Sequence, residues 1–187
     1  MKHSIFILFA ILVLWSCNQK TEATPIAASP EFDEAKELQA IMAVIKNETK
    51  CFFDGNYECW ASNWSHADYA MQAWNNSDGT SDAAVGWEAI NKQGKGWIET
   101  YYKNGENIIH PDFIATKPKV KFFGNEAAYL MWTQYNADQD KKFYRVSQET
   151  RVMEKESDGW KIVNVSAFWE VSPKVVRDSI PEGLIKQ

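Results

Sequence analysis

From residue 38 to residue 52 the apolar positions recur at three- and four-residue spacing. Leu38, Ile41, Met42, Ile45, Thr49 and Phe52 fall on one stripe, which predicts an amphipathic helix of about six turns. Ser29-Pro30-Glu31 supplies a start: Ser is a good N-cap, Pro is tolerated in the first turn, and Glu31, Asp33 and Glu34 complement the positive end of the helix dipole. Asp54-Gly55-Asn56 supplies the stop. A short second helix, Tyr57 to Asn63, brings Trp60 and Trp64 to one side at i, i+4 spacing. Ser65 to Asn75 then reads as a strand, and Asn76 to Val85, carrying Asp78-Gly79, as a loop. A third helix opens at Gly86-Trp87-Glu88-Ala89-Ile90, with Trp87, Ile90, Trp97, Ile98 and Tyr101 as its apolar positions, and stops near Asn104-Gly105. From residue 112 the period changes to two. Phe113 to Phe123, Ala127 to Tyr135, Lys142 to Lys155 and Trp160 to Val171 are four strand candidates joined by short turns, the pattern of an antiparallel meander. Three helices followed by four consecutive strands define an α+β fold with helices packed on one face of a curved sheet.

The N-terminus carries a different pattern. Met1-Lys2-His3 is followed by an apolar run from Ile5 to Trp15, then Ser16 and Cys17. A basic start, a short apolar core and a small residue before a cleavage point mark a secretory signal, and about 10 apolar residues fall short of the roughly 17–25 needed to span a bilayer. With Leu14 three before the cysteine and Ser16 directly before it, the stretch resembles a bacterial lipoprotein signal. That resemblance implies that residues 1–16 are removed, that Cys17 is lipidated, and that the chain is exported and anchored to the cell envelope by its lipid. Residues 17–30 then form the lipidated Cys and a flexible tether, polar and without apolar period; residues 31–171 form one domain and 172–187 a C-terminal tail.

Composition narrows the partners. The mature chain would hold 171 residues, enough for one domain with a full core. Its formal charge of −5 becomes −6 on loss of Lys2, with no basic cluster anywhere, so nucleic acid is not an expected partner. An anionic leaflet would repel such a surface, leaving membrane attachment to the lipid. Besides Cys17 there are only Cys51 and Cys59, eight apart; they can meet across the turn at Asp54-Gly55-Asn56, or stand as two small core residues. Neither a metal nor a cofactor is expected. No metal-ligand spacing appears, and Gly94-Lys95-Gly96 sits inside the third helix without the spacing of a phosphate-binding loop.

The order of elements, the Gly86–Ile90 helix start and the closing run from Glu149 to Ser166 through Asp158-Gly159-Trp160 are similar to the nuclear transport factor 2-like superfamily over residues 31–171. The resemblance implies a curved antiparallel sheet forming a cone-shaped half barrel, closed by the three N-terminal helices around a pocket. It implies no single activity, because members include isomerases, dehydratases, cyclases and pure binding or dimerisation modules.

Candidate site residues follow from placing the chain on that cone. Trp64, His66 and Asp68 share one face of the expected strand, where the resemblance puts the pocket mouth. His66 would be the general base and Asp68 its orienting partner; a structural histidine among aromatics is the alternative. His110 precedes Pro111 in an expected loop. On the last strand Trp160, Ile162, Asn164, Ser166 and Phe168 share a face by strict alternation, and the resemblance makes Trp160 and Ile162 inward, aiming Asn164 and Ser166 into the cavity. Thr150 resembles a pocket-facing position of binding-type relatives, which turns Glu149 and Arg151 away from the pocket as a structural pair. Trp64 and Trp132, with Tyr101 and Tyr129 as polar handles, complete an aromatic lining suited to a flat apolar molecule or a sugar ring. Where catalytic relatives carry a second histidine this chain has Asn164 or Ser166, which disfavours a paired-histidine dehydratase mechanism. The functional expectation is therefore a lipoprotein binding a small apolar or ring-shaped ligand, or a partner protein. A cofactor-independent isomerase, cyclase or dehydratase using His66 is the alternative. A homodimer through the outer sheet face is also compatible with the apolar residues on both faces of the last strand.

Overall fold

The computed structural model describes residues 32–103, 106–107, 112–138, 140–171 and 173–186. Cys17, the expected signal and tether, Asn104, Gly105 and His110 lie outside the described residues, as does the side chain of Tyr101. In chain order the elements are α1 (Glu34–Phe53), α2 (Tyr57–Ser62), β1 (Met71–Asn75), β2 (Ser81–Val85), α3 (Trp87–Tyr101), β3 (Tyr102–Lys103), β4 (Glu106–Asn107), β5 (Phe113–Ala115), β6 (Lys119–Phe123), β7 (Ala127–Ala137), β8 (Phe143–Glu156), β9 (Gly159–Trp169), β10 (Val175–Val176) and β11 (Ile185–Lys186).

The cap of α1 is Asp33 and not Ser29. Its Oδ1 accepts the backbone N–H groups of Ala35 and Lys36 at 3.1 Å, satisfying two of the donors that a helix start leaves open. The expected stripe holds, with Ile41 and Ile45 buried and Leu38, Met42 and Phe52 packed beside them. Asn56 caps α2 through Cys59 N–H, and a disulfide joins Cys51 to Cys59 with Cα atoms 5.6 Å apart. The second of the two readings left open for these cysteines is therefore set aside, and the end of α1 is fastened to α2.

The expected strand from Ser65 is interrupted. Ser65 N–H donates to the Ile162 carbonyl and Ile162 N–H to the Asn63 carbonyl, both at 2.9 Å, so the chain first touches β9 at Trp64–Ser65. It then turns, because the Ala67 carbonyl accepts from Ala70 and Trp87, and rejoins β9 only at Met71. Residues 76–85 are likewise not all loop. Ser81–Val85 pairs antiparallel with β1, an edge strand missed because only Ala84 of its five residues is buried. The expected strand 113–123 is two strands lying end to end on β7. Thr116-Lys117-Pro118 separates them, and Thr116 reaches Thr133 with its side-chain hydroxyl; proline cannot donate to a ladder.

The main sheet runs β11-β5-β7-β8-β9-β1-β2, with β6 also on β7 and β10 on β8, and is antiparallel except for the β1–β9 pair. The helices cover one face, and the core between them holds Ile41, Trp60, Ile90, Leu130, Met153 and Ile162, each at most 1 % exposed. Residues beyond 171, expected as a tail, contribute β10, β11 and the buried Ile180, which packs with Ile114 and Tyr144.

Candidate ligand-binding cavity

A cavity of about 920 Å³ opens between the helices and the inner face of β1, β7, β8 and β9, within the usual range of small-molecule sites. Which side chains reach it is decided by one residue. On β9, Met153 of β8 faces Ile162 and Val152 faces Asn164, so Val163 has no partner and forms a bulge. A bulge inserts one residue and reverses the alternation beyond it. Trp160 and Ile162 point inward as expected, but past Val163 the inward set is Val165, Ala167 and Trp169. Asn164 and Ser166 consequently do not line the cavity. They bond to each other on the outer face at 3.1 Å, and Asn164 Nδ2 reaches the Met71 carbonyl.

The same phase on β8 corrects Thr150, whose hydroxyl reaches the Ser166 carbonyl at 3.5 Å while its neighbours Glu149 and Arg151 face the cavity. Those two pair with each other, as the sequence suggested, but inside the wall: Arg151 Nη1 donates to Glu149 Oε2 at 3.0 Å, with the side chains only 12 % and 4 % exposed. The pair ends a chain of hydrogen bonds across β7 and β8. Trp132 Nε1 donates to Gln134, Gln134 to Asn136, Asn136 Nδ2 to Ser147 at 3.0 Å, and Ser147 to Glu149 Oε1 at 2.6 Å. Buried polar groups are tolerable when so matched. The Arg151 guanidinium also lies over the Trp132 ring, 5.0 Å from its centroid.

The helical wall carries Glu48. It sits one turn past Ile45 on the apolar stripe of α1, so the packing that buries the stripe carries a carboxyl with it. Its Oε1 accepts the indole N–H groups of Trp60 at 2.7 Å and Trp64 at 3.3 Å, and Thr49 donates to Oε2. Burial pushes this carboxyl above the ordinary carboxylate range; the nearby Arg151 charge and the two indole N–H groups pull the other way without cancelling it. Trp74 and Trp97 meet in the cavity wall with ring centroids 5.0 Å apart, both half-buried.

Of the residues expected in the site, Trp64 and Trp132 line the cavity and His66, Asp68, Thr150, Asn164 and Ser166 do not. His66 is exposed at the turn after α2. Its ring stacks on Trp87 at 3.9 Å and Nε2 meets the Ala61 carbonyl at 3.1 Å, so strand alternation no longer couples it to Asp68. Sequence reasoning missed Glu48, Gln134, Asn136, Ser147, Glu149 and Arg151. A signal existed for Glu48, which stands at i+7 from Ile41 and i+3 from Ile45. No group of three or more candidate metal ligands occurs among the described residues.

Fold and cavity together define an α+β cone domain of the nuclear transport factor 2-like class. The model of the calcium/calmodulin dependent protein kinase II association domain family matches residues 39–168, and the chain belongs to that family. A nuclear transport factor 2-like protein of unknown function from Shewanella oneidensis is similar at 16 % identity and TM-score 0.52, over 70 % of this chain and 98 % of that one. A candidate association domain of the same kinase family from Xanthomonas campestris is similar at 18 % identity and TM-score 0.51, over 77 % and 93 %. A candidate dehydratase of the class from Streptomyces avermitilis is similar at 13 % identity and TM-score 0.55, over 75 % and 100 %. At such identities the likeness shows the fold alone. No curated protein matches the sequence.

Proposed function

We propose that the protein is an envelope-anchored lipoprotein whose cone-shaped domain holds a small ring-shaped ligand in the tryptophan-walled cavity. The observation that carries the reading is the cavity itself: about 920 Å³, walled by the half-buried rings of Trp74, Trp97 and Trp169 and by a continuous polar ladder ending in Glu149 and Arg151. Apolar walls with a few placed polar groups are what a ring-shaped molecule requires. Holding is favoured over turnover because His66, the candidate base, is engaged outside the cavity. Partner contact belongs on the outer sheet face, where Met131 and Phe168 are 39 % and 58 % exposed in line with Thr150 and Gln148. The membrane link is Cys17.

Native mass spectrometry on the full chain recovered from a bacterial envelope tests the cavity. A bound small molecule that leaves on denaturation, and is not retained by a Trp97→Ala variant, is the expected result; a clean apo mass speaks against it. Replacing Cys17 by Ala should release the chain from the membrane fraction, and an unchanged distribution would end the lipoprotein reading.

A further inference from the structure

We propose that the cavity takes an organic cation, an ammonium group on a small apolar body, with Glu48 as its counter-ion; this rests on the cavity being the ligand site named above. One wall already shows how this cavity holds a positive charge. The Arg151 guanidinium has the Glu149 carboxylate at 3.0 Å on one side and the face of Trp132 at 5.0 Å on another, the carboxylate-and-indole combination that suits cations.

The helical wall repeats those parts without the cation. Glu48 is fixed by the indole N–H groups of Trp60 and Trp64. One turn further along α1, Phe52 meets Trp97 at 6.5 Å, and Trp97 meets Trp74 at 5.0 Å and 53°, so two indole rings form a corner that lines the same cavity as the carboxyl. No ion-pair partner of Glu48 exists among the described residues, and Gln72 on the adjoining cavity wall carries a buried side-chain oxygen with no hydrogen-bond partner. Among the described residues, the inner wall thus has two carboxyls, Glu48 and Glu149, and one guanidinium, and that guanidinium is already matched.

Other ligand charges fit less well. An anion would have to take Arg151 from Glu149 while facing Glu48. A neutral ring gives Glu48 no charge to balance. The rim adds Asp78, Asp138 and Glu170 against Arg145 and Lys174, and the whole chain carries −5, so approach also favours cations.

The test compares phenyltrimethylammonium with tert-butylbenzene, the same shape with carbon in place of nitrogen. Binding to the full oxidised chain, with Cys17→Ser to leave it unlipidated, is read by tryptophan emission and titration calorimetry. In Glu48→Gln the dissociation constant of the cation should rise at least tenfold while that of the neutral isostere moves less than twofold. Should Glu48→Gln not fold, Trp97→Leu serves, and it should weaken the cation more than the isostere. Equal weakening of both ligands in either variant, or a cation affinity unchanged in Glu48→Gln, overturns the inference. Binding of tert-butylbenzene alone overturns it too but leaves the cavity standing as a ligand site, whereas binding of neither removes both.

Discussion

Two glycines two residues apart in α3 should respond to the same substitution with opposite signs. A Cβ placed on Gly94 would stand 2.9 Å from Trp60 Cζ3 and closer still to Cζ2 and Cη2, whereas one placed on Gly96 meets nothing within 4 Å. Helix propensity alone favours alanine over glycine by about 1 kcal/mol at either site. At Gly96 that gain should appear nearly whole. At Gly94 it is opposed by overpacking of about 1–3 kcal/mol, because Trp60 is 1 % exposed and hemmed in by Phe52, Tyr57, Trp64 and Trp87 at 5.9–6.5 Å between ring centroids. If the indole swings away it also abandons its 2.7 Å bond to Glu48, a further cost of about 1–3 kcal/mol for a buried group left short of a partner. Gly94→Ala should therefore lose about 3 kcal/mol net, lowering Tm by roughly 6–12 °C in a domain of this size, while Gly96→Ala raises stability slightly. Urea unfolding followed by tryptophan emission measures both, and Gly94→Ala should cost less in a Trp60→Phe background, where the bulk it meets is gone. A Gly94→Ala protein as stable as the parent would mean that α3 does not rest on Trp60, and the wall holding Glu48 would have to be redrawn.

Reduction of Cys51–Cys59 should cost about 2.5 kcal/mol on the chain-entropy estimate for a closed loop of this length; a dithiothreitol-induced drop in Tm, absent in the Cys51→Ser/Cys59→Ser double variant, checks it. Lys155 and then the Trp160 indole hold the Glu37 carboxyl below its ordinary value through bonds of 2.8 and 2.6 Å. Stability from this group is thus present above about pH 4.5 and lost as pH falls through the folded value. Glu37→Gln should be less stable than the parent near neutrality by about 1 kcal/mol, with a gap that narrows as pH falls below about 4.5; a constant gap from pH 7 to pH 3 would contradict the assignment. Glu48 has the reverse sign. Its carboxyl is raised by burial, so its contribution is complete below about pH 4.5 and declines as pH rises toward the folded value. Glu48→Gln should match the parent near pH 4 and overtake it at higher pH, by at most about 1.4 kcal/mol per pH unit. Denaturant midpoints at pH 4, 6 and 8 decide it, and a gap that shrinks with pH would refute the upward shift of this half-buried carboxyl.

The helices were legible because their periodicity is carried by many residues at once. Ile41, Ile45, Ile90 and Ile98 are all where a 3.6-residue period puts them, and losing any one would leave the pattern readable. The site was not legible, because strand faces depend on a phase that one residue can invert. Ile162-Val163 offers two adjacent apolar residues, both buried, and no count of alternation says that the second is unpaired. The turn at residues 66–70 is similar in kind: its determinants are backbone bonds from the Trp87 and Gly86 N–H groups to the Ala67 and Ala70 carbonyls, partners that local sequence does not announce. His66 was placed in the pocket by an alternation that had already stopped.

Glu149 and Arg151 show why such a misreading moves a site and not merely a boundary. Val152 and Met153 are adjacent and both apolar, so either phase of β8 is open from the sequence, and the resemblance that put Thr150 in the pocket selects the wrong one, as would the rule that charges face water. The rule weighs each residue singly, whereas the desolvation cost belongs to the group. Here carboxylate and guanidinium neutralise each other at 3.0 Å, Ser147 supplies a hydroxyl at 2.6 Å, and Trp132 offers its face to the cation, so the cost of burial is largely met within the wall. Glu48 lacks that compensation: among the described residues, the opposite charge near it is one already engaged by Glu149. A carboxyl carried inward by a helix stripe and left without its own cation is the feature that most distinguishes this cavity from a packed core. It can be explained by what enters the cavity, since a glutamine would accept the same two indole protons on its one oxygen and lose only the 3.3 Å bond from Thr49.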